Sequence, residues 1–192
     1  MGVVETVRTW GRMVKFSHSV FALPFALTGA ALAGARYGIS WRQVAWIVVA
    51  MAAARNAAMG FNRLVDHAID ARNPRTAGRE LPRGALSRGA VWAFTGVLAA
   101  LFVFASFRLN VLCGGLSPLA LMIVGFYSLT KRFTWASHLV LGLSLAIAPI
   151  GSWLAIAGRV AAVPLFLAAA VLFWVAGFDT IYACQDVAFD RD

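Results

Sequence analysis

The chain has 192 residues, of which 61% are hydrophobic and only 13% are charged, a balance far from that of an average soluble domain. This composition excludes an ordinary soluble enzyme and predicts an integral membrane protein. The formal net charge of +9 would also suit nucleic-acid binding, but the basic residues lie in short loops between apolar segments. We therefore expect a lipid bilayer around the protein and no nucleic-acid partner.

Six apolar segments approach or exceed the length of about 20 residues that a helix needs to cross a bilayer. They cover residues 19–35, 43–61, 89–107, 109–129, 133–158 and 160–178. Small residues are frequent in all six, which favours close packing of membrane helices. The sequence therefore predicts an all-α, polytopic transmembrane helical bundle that forms a single membrane-embedded domain over residues 1–192.

Polar residues at intervals of four follow two of these segments. The first ladder comprises Asn62, Asp66 and Asp70, and the second comprises Tyr182, Asp186 and Asp190. On a helix this spacing places the members of each ladder on one face. Carboxylate and amide oxygens suit Mg²⁺, which proteins commonly share with substrate phosphates. The two ladders therefore predict a Mg²⁺-dependent site for a diphosphate substrate.

Aspartates at helix ends can instead be surface charges that pair with nearby arginines. Two ladders with the same spacing at the exits of membrane spans favour a functional site, because ionisable groups at membrane depth are costly without a role. The loop at residues 71–88 and the helix end before it carry six arginines. We interpret this loop as a lid over the diphosphate; a basic membrane anchor is the alternative.

The distribution of lysine and arginine predicts the orientation. If the spans alternate in direction, twelve basic residues fall on the side of the N-terminus and four on the other side. Cytoplasmic loops carry the excess of basic residues. We therefore expect the N-terminus, both ladders and the pair Lys131 and Arg132 on the cytoplasmic side of the inner (plasma) membrane.

The same motifs carry a family resemblance. The pattern N-R-x-x-D-x-x-x-D at residues 62–70, which continues as A-R-N-P-R-T, and the pattern Y-x-x-x-D-x-x-x-D at 182–190 resemble signatures of the UbiA superfamily of intramembrane aromatic prenyltransferases. The segment Y-S-L-T-K-R at 127–132 resembles a third signature. The resemblance implies nine spans around one central cavity, of which this chain supplies six. We therefore expect the polypeptide alone to insert into the membrane but to turn over poorly.

The resemblance also implies the reaction, in which a polyprenyl group moves from polyprenyl diphosphate to the ring of an aromatic acid. The expected Mg²⁺ ligands are Asn62, Asp66, Asp70, Asp186 and Asp190. Lys131, Arg132 or both would contact the diphosphate and complete the catalytic set with the four aspartates. Tyr127 and Tyr182 would lie at the site, where their ring faces can stabilise the developing allyl cation.

Arg55 lies within the second span, seven positions before Asn62 and therefore two turns deeper on nearly the same helix face. A charge at this depth needs an anionic partner. One candidate is the carboxylate of the aromatic acid, and the other is Asp179 near the inner end of the sixth span. The histidines show no metal-ligand spacing, and we expect them to be interfacial or hydrogen-bonded residues: His18, His67 and His138.

The sequence leaves the acceptor open. The resemblance implies 4-hydroxybenzoate, in ubiquinone biosynthesis, whereas K-F-S-H at residues 15–18 and F-A-L-P-F at 21–25 look closer to a menaquinone branch that acts on a dihydroxynaphthoic acid. Prenyl chain length and oligomeric state are not predicted. A cation-coupled transporter is an alternative of another class, but transporter sites usually lie near the bilayer midplane in broken helices, whereas both ladders lie at span ends.

Overall fold

The computed structural model describes residues 2–184, except for the side chains of Val3 and residues 16–21. This part of the chain forms α-helices and contains no strand. The helices are α1 (Val3–Met13), α2 (Phe16–Tyr37), α3 (Trp41–Arg72), α4 (Arg88–Leu109), α5 (Val111–Thr130), α6 (Ser137–Ala157) and α7 (Ala162–Ala183). The predicted all-α bundle is therefore confirmed.

Within the described residues, five helices, α3 to α7, are long and apolar enough to cross a membrane. They overlap the last five predicted spans, one helix to each. The first predicted span lies in α2, which has 22 residues but is not among the five. The predicted number of six spans is therefore approximate.

Helix α3 carries the first ladder. The helix begins at a capping box, in which Ser40 Oγ accepts a hydrogen bond from the Gln43 amide (3.3 Å) and Gln43 Oε1 accepts one from the Ser40 amide (2.9 Å). Its 32 residues give a length of about 48 Å, well beyond the bilayer hydrocarbon thickness of about 30 Å. The predicted span ends at residue 61, but the helix continues without a break to Arg72. The ladder therefore stands on a rigid extension of a membrane helix.

Helix α1 was not predicted, because its charged residues interrupt any apolar run. Its inner face buries Thr9 and Met13, and Trp10 packs on Phe94 with 4.7 Å between the ring centroids. Met13 also belongs to a buried cluster with Leu64 of α3 and with residues 14, 81 and 91. Helix α1 thus closes the end of the bundle that holds Asn62, Asp66 and Asp70, which we call the ladder end.

Close helix packing depends on small residues. Gly142 of α6 lies against the Leu172 carbonyl of α7, and Gly60 of α3 faces the Thr95 hydroxyl of α4, so that neither glycine has room for a Cβ atom. The most extensive contacts join α6 to α7 and α3 to α4, while α2 packs mainly on α6. Short connections make consecutive helices antiparallel. The last residues of α3, α5 and α7 therefore meet at the ladder end.

Candidate active site

The structure joins the first ladder to the third motif. Asp66 is 7% exposed, and Lys131, directly after α5, approaches it from the neighbouring helix. The Lys131 Nζ atom lies 3.0 Å from Asn62 Oδ1 and 3.0 Å from Asp66 Oδ2. The same ammonium lies 5.1 Å from the centroid of the Tyr127 ring. Two ladder oxygens therefore converge on a single cation, beside one of the predicted aromatic residues.

Arg132 lies near the other oxygen of the Asp66 carboxylate. Its Nη2 atom donates a hydrogen bond to the Val65 carbonyl (2.6 Å) and lies 3.8 Å from Asp66 Oδ1. Each oxygen of the Asp66 carboxylate thus has a cation near it. The side chains of Lys131 and Arg132 are 37% and 43% exposed, which leaves part of each charged group accessible to a further anion.

Asp70 lies one turn further along α3 and is 5% exposed. Its Oδ1 atom lies 2.5 Å from Arg79 Nη1, and its Oδ2 atom lies 3.9 Å from Nη1 of the buried Arg63. Arg63 also donates from Nε to the Met13 carbonyl at 3.3 Å, which ties α3 to α1. Asp70 Oδ2 is buried and accepts no hydrogen bond within residues 2–184. Such an oxygen is costly to bury, so it offers a ready ligand to a cation.

The loop between α3 and α4 is folded onto the ladder end. The Thr76 hydroxyl donates to the Asp70 carbonyl at 3.0 Å, and Glu80 Oε1 lies 3.7 Å from Arg12 Nε of α1. Thr76 and Glu80 are both buried. The loop therefore packs against both α3 and α1.

Two arginines of this loop reach different partners. Arg79 pairs with Asp70, so its charge already compensates that of a ladder carboxylate. The Arg75 guanidinium lies 5.9 Å from the centroid of the Tyr182 ring at the end of α7. This contact connects the first ladder's loop to the first residue of the second ladder. The role of the loop as a lid over a diphosphate stays a prediction.

Lys15, between α1 and α2, was not predicted as a site residue. It is half-buried and adopts the left-handed conformation with φ 48°. Its backbone N–H donates to the Arg12 carbonyl, but its ammonium makes no hydrogen bond or ion pair with any described residue. Its pKa lies below the ordinary value of 10.5, because burial disfavours the ammonium and nearby arginines repel it. These arginines are Arg63, Arg79, Arg75 and Arg55, in decreasing order of effect. The excess of cations over carboxylates in this region attracts an anion.

Replacing Lys15 by methionine is expected to raise the melting temperature at neutral pH. The lowered pKa means that the Lys15 charge destabilises the folded state fully below the folded-state pKa. This penalty disappears as the pH rises from that pKa towards the unfolded value of 10.5, so the gain from Lys15→Met should shrink over that window.

Melting curves of the detergent-purified protein at several pH values measure this effect, with the exposed Arg8→Met as the matched control. A gain that stays constant up to pH 10.5 would contradict it.

Because hydrogen bonds to charged groups contribute about 1.5–3 kcal/mol, Lys15→Met should also bind inorganic pyrophosphate at least about 10-fold more weakly.

Asp179 lies near the end of α7, three residues before Tyr182. Asp179, one of the two candidate partners of Arg55, lies next to His138, with 2.7 Å between His138 Nδ1 and Asp179 Oδ2. The pairing of Arg55 stays a prediction. The prediction that His138 is hydrogen-bonded is confirmed.

The donor atoms of the first ladder suit Mg²⁺. Asn62 Oδ1 and Asp66 Oδ2 already share one cation, and Asp70 Oδ2 has no hydrogen-bond donor in the described chain; all are hard oxygens. No group of three or more His, Cys, Asp and Glu side chains within residues 2–184 is placed to hold a metal. Asp186 and Asp190 of the second ladder lie outside the described residues. The Mg²⁺ ligand set therefore stays a prediction.

Comparison with known proteins identifies the family. The UbiA prenyltransferase family matches residues 22–192. The chain belongs to this family. A 4-hydroxybenzoate octaprenyltransferase of Aeromonas hydrophila is 33% identical over 139 residues, which are 72% of this chain and 48% of that protein. A polyprenyl transferase of Arthrobotrys oligospora is 36% identical over 149 residues, which are 74% of this chain and 40% of that protein.

Solved UbiA structures share the fold. The apo structure of a UbiA homolog from Aeropyrum pernix has a TM-score of 0.84 at 37% identity, over 92% of this chain and 66% of that one. A UbiA homolog from Archaeoglobus fulgidus bound to GPP and Mg²⁺ has a TM-score of 0.77 at 20% identity, over 95% and 65%. The chain thus spans less than half of the two curated relatives and about two thirds of the solved structures. UbiA membership and the apolar helices make this a multi-pass membrane protein.

Proposed function

We propose that this UbiA family member is a Mg²⁺-dependent polyprenyltransferase that joins a polyprenyl group from polyprenyl diphosphate to the ring of 4-hydroxybenzoate, in ubiquinone biosynthesis. The observation that carries the proposal is the convergence of Asn62, Asp66 and Lys131 at 3.0 Å beside a cluster of cations. Relatives named for 4-hydroxybenzoate and a structural neighbour bound to GPP and Mg²⁺ support the substrate classes and the metal.

The departing diphosphate requires positive charge from the protein. Asn62, Asp66 and Asp70, together with Asp186 and Asp190, would hold Mg²⁺, which supplies part of that charge. Lys131 and Arg132 would donate their accessible N–H groups to further diphosphate oxygens.

The Lys15 ammonium, which has no partner among the described residues, and the Arg75 guanidinium add charge from the side of α1 and the loop. In the absence of substrate, a half-buried cation among like charges is destabilising. An arriving diphosphate would relieve that repulsion, so part of its binding free energy would come from the cluster itself.

The reacting carbon needs protection from water and a surface that tolerates positive charge. The ring faces of Tyr127 and Tyr182 each already lie next to a cation, at 5.1 Å from Lys131 Nζ and 5.9 Å from Arg75 Cζ. Such faces can equally stabilise an allyl cation. The helices around them would exclude the water that competes with the aromatic ring.

Product analysis tests the proposal. Membranes that contain the protein, extended by the further C-terminal spans that the family resemblance implies, are supplied with Mg²⁺, a labelled polyprenyl diphosphate and 4-hydroxybenzoate. They should form prenylated 4-hydroxybenzoate, and a chelator should stop its formation. A parallel reaction receives a dihydroxynaphthoate. Product in that reaction alone would assign the protein to the menaquinone branch, and product in neither would overturn aromatic prenyl transfer.

Arg55→Ala is expected to raise the KM for the aromatic acid by about 10-fold or more and to leave the KM for polyprenyl diphosphate within about threefold, because a charged hydrogen bond contributes about 1.5–3 kcal/mol. Arg55 lies two turns deeper in α3 than Asn62, at the depth where we place the acceptor carboxylate. Steady-state kinetics with each substrate varied in turn measures the split. Arg108→Ala, at the opposite end of the bundle, is the control, and equal losses for both substrates would contradict the assignment.

The proposal includes an orientation, with the N-terminus and the site loops on the cytoplasmic face of the inner membrane and residues 1–192 in one domain. The excess of lysine and arginine at the ladder end supports it. An Arg42→Cys variant that an impermeant thiol reagent fails to reach from outside intact cells would contradict it.

A further inference from the structure

His138 and Asp179 form a close pair on two neighbouring helices. His138 is the second residue of α6, and Asp179 lies near the end of α7. His138 Nδ1–H donates to Asp179 Oδ2 at 2.7 Å, an arrangement that fixes the imidazole tautomer with Nε2 as a proton acceptor. Nε2 makes no hydrogen bond to any residue in the described part of the chain. The two side chains are 28% and 23% exposed, so the pair is reachable.

The pair lies at the same end of the bundle as the candidate site, near the start of α6 and the end of α7. Asp179 precedes Tyr182 by three residues, so the two share one face of α7, and Tyr182 lies beneath Arg75 of the site loop. Lys131 of the first ladder's cation pair lies over the Tyr127 ring, at 5.1 Å from its centroid. An aromatic acceptor between the tyrosines would therefore lie near Lys131 at Tyr127 and near the His138–Asp179 pair at Tyr182.

Aromatic prenylation releases one proton, and the ladder carboxylates are poorly suited to accept it. Asp66 lies between Lys131 and Arg132, and Asp70 lies between Arg79 and Arg63. Both carboxylates are therefore already engaged by cations, and the proposed function uses them to hold Mg²⁺. The imidazole has a carboxylate behind it instead, which stabilises the imidazolium that would form.

We propose that His138 is the general base of the prenyl transfer, positioned by Asp179; this inference rests on the proposed function. The bond between the prenyl carbon and the diphosphate oxygen breaks, and its electron pair leaves with the diphosphate. A π-electron pair of the ring forms the new carbon–carbon bond. The ring proton then passes to His138 Nε2, the C–H electron pair restores aromaticity, and the exposed edge of the imidazole returns the proton to water.

Kinetics with a ring-deuterated acceptor separates this role from a structural one. His138→Gln should lower kcat by about 10²- to 10⁴-fold, the usual contribution of a general base, and leave the KM for 4-hydroxybenzoate within about threefold. Loss of the base makes proton removal slow, so the variant should show a primary deuterium isotope effect that the parent lacks. His67→Gln, which changes a histidine outside the pair, should match the parent in rate and isotope effect.

Two outcomes would overturn the assignment: a His138→Gln rate close to that of the parent, or a large loss of rate without an isotope effect. The second outcome would make the pair a structural link between α6 and α7. Asp179→Asn provides a second variant, because it retains the size of the side chain but no longer stabilises the imidazolium. It should also lower kcat and show the isotope effect.

Affinity labelling tests the position of His138 without turnover. The probe 3-(bromoacetamido)-4-hydroxybenzoate carries an electrophilic carbon next to the ring position that prenylation would substitute. We expect alkylation at His138, detected by peptide mass spectrometry, and protection by 4-hydroxybenzoate. Labelling of His67 instead would overturn the assignment. If the parent forms product but His138 escapes the label, the proposal for the base fails while the proposed function stands; a parent without product refutes the function itself.

Discussion

Replacing Asp66 by alanine is expected to lower kcat for prenyl transfer by about 10³-fold, which corresponds to about 4 kcal/mol of activation free energy. Asp66 has a partly exposed cation near each carboxylate oxygen, since Lys131 lies 3.0 Å from one oxygen and Arg132 lies 3.8 Å from the other. The substitution removes a predicted Mg²⁺ ligand. It also releases both cations from the geometry in which they would meet the diphosphate.

Turnover of the purified variant at saturating Mg²⁺ and both substrates measures the effect. Glu5→Gln on α1 removes an exposed acidic charge outside the site and serves as the matched control. Activity of Asp66→Ala within about tenfold of the parent, a difference of only about 1.4 kcal/mol, would refute the metal-ligand assignment. Loss that is recovered at higher Mg²⁺ would locate the defect in metal affinity.

Asp70→Asn is expected to lower the free energy of unfolding by about 3 kcal/mol, because it leaves a buried arginine without its compensating charge. Arg63 and Asp70 have side chains that are 5% and 6% exposed, with 3.9 Å between Nη1 and Oδ2. The replacement preserves the shape of the side chain, so the loss reports the charge and not a cavity. Arg79, at 21% exposure, can turn towards solvent and loses less.

Thermal or denaturant unfolding in detergent measures this prediction. The double variant Arg63→Gln/Asp70→Asn removes both buried charges and should recover part of the loss, since replacing a whole buried pair is far less costly than breaking it. Double-variant stability equal to the sum of the single losses would show that Arg63 and Asp70 are not coupled.

The sequence predicted those parts of the site that follow from periodicity and alternation. The interval of four placed Asn62, Asp66 and Asp70 on one helix face, and the alternation of spans brought Lys131 to the same end of the bundle. The contact between Lys131 and Asp66 confirms this meeting. Both arguments need only the regular geometry of helices that cross a membrane.

Contacts that depend on how short segments fold back onto the bundle could not be predicted from the sequence. Lys15 meets its arginines because α1 turns sharply into α2 and packs on α3, and no spacing links residue 15 to residues 55–79. Helix α1 itself was not predicted, because its charged residues interrupt any apolar run. The only sign of its buried face is the interval of four between Thr9 and Met13. Tertiary packing, not local pattern, makes these contacts.

The contact between His138 and Asp179 could have been predicted from the sequence. Two helices joined by a short connection lie antiparallel, so residues at similar distances before and after the connection face each other. His138 and Asp179 stand at nearly equal distances from the turn that separates α6 and α7. The signal was present, but the two residues carry no motif of their own.

The length of α3 has a consequence for how a substrate reaches the protein. The 11 residues from Asn62 to Arg72 extend about 16 Å past the apolar part of the helix, which would place the ladder at the level of the lipid headgroups. A polyprenyl diphosphate lies in a leaflet like a lipid, with its charged group at that same level and its tail among the acyl chains. It would then arrive by lateral diffusion without taking its charge through hydrocarbon. Occupancy of the site would then depend on the mole fraction of substrate in the membrane. Adding inert lipid at a constant total concentration of substrate would therefore lower the occupancy.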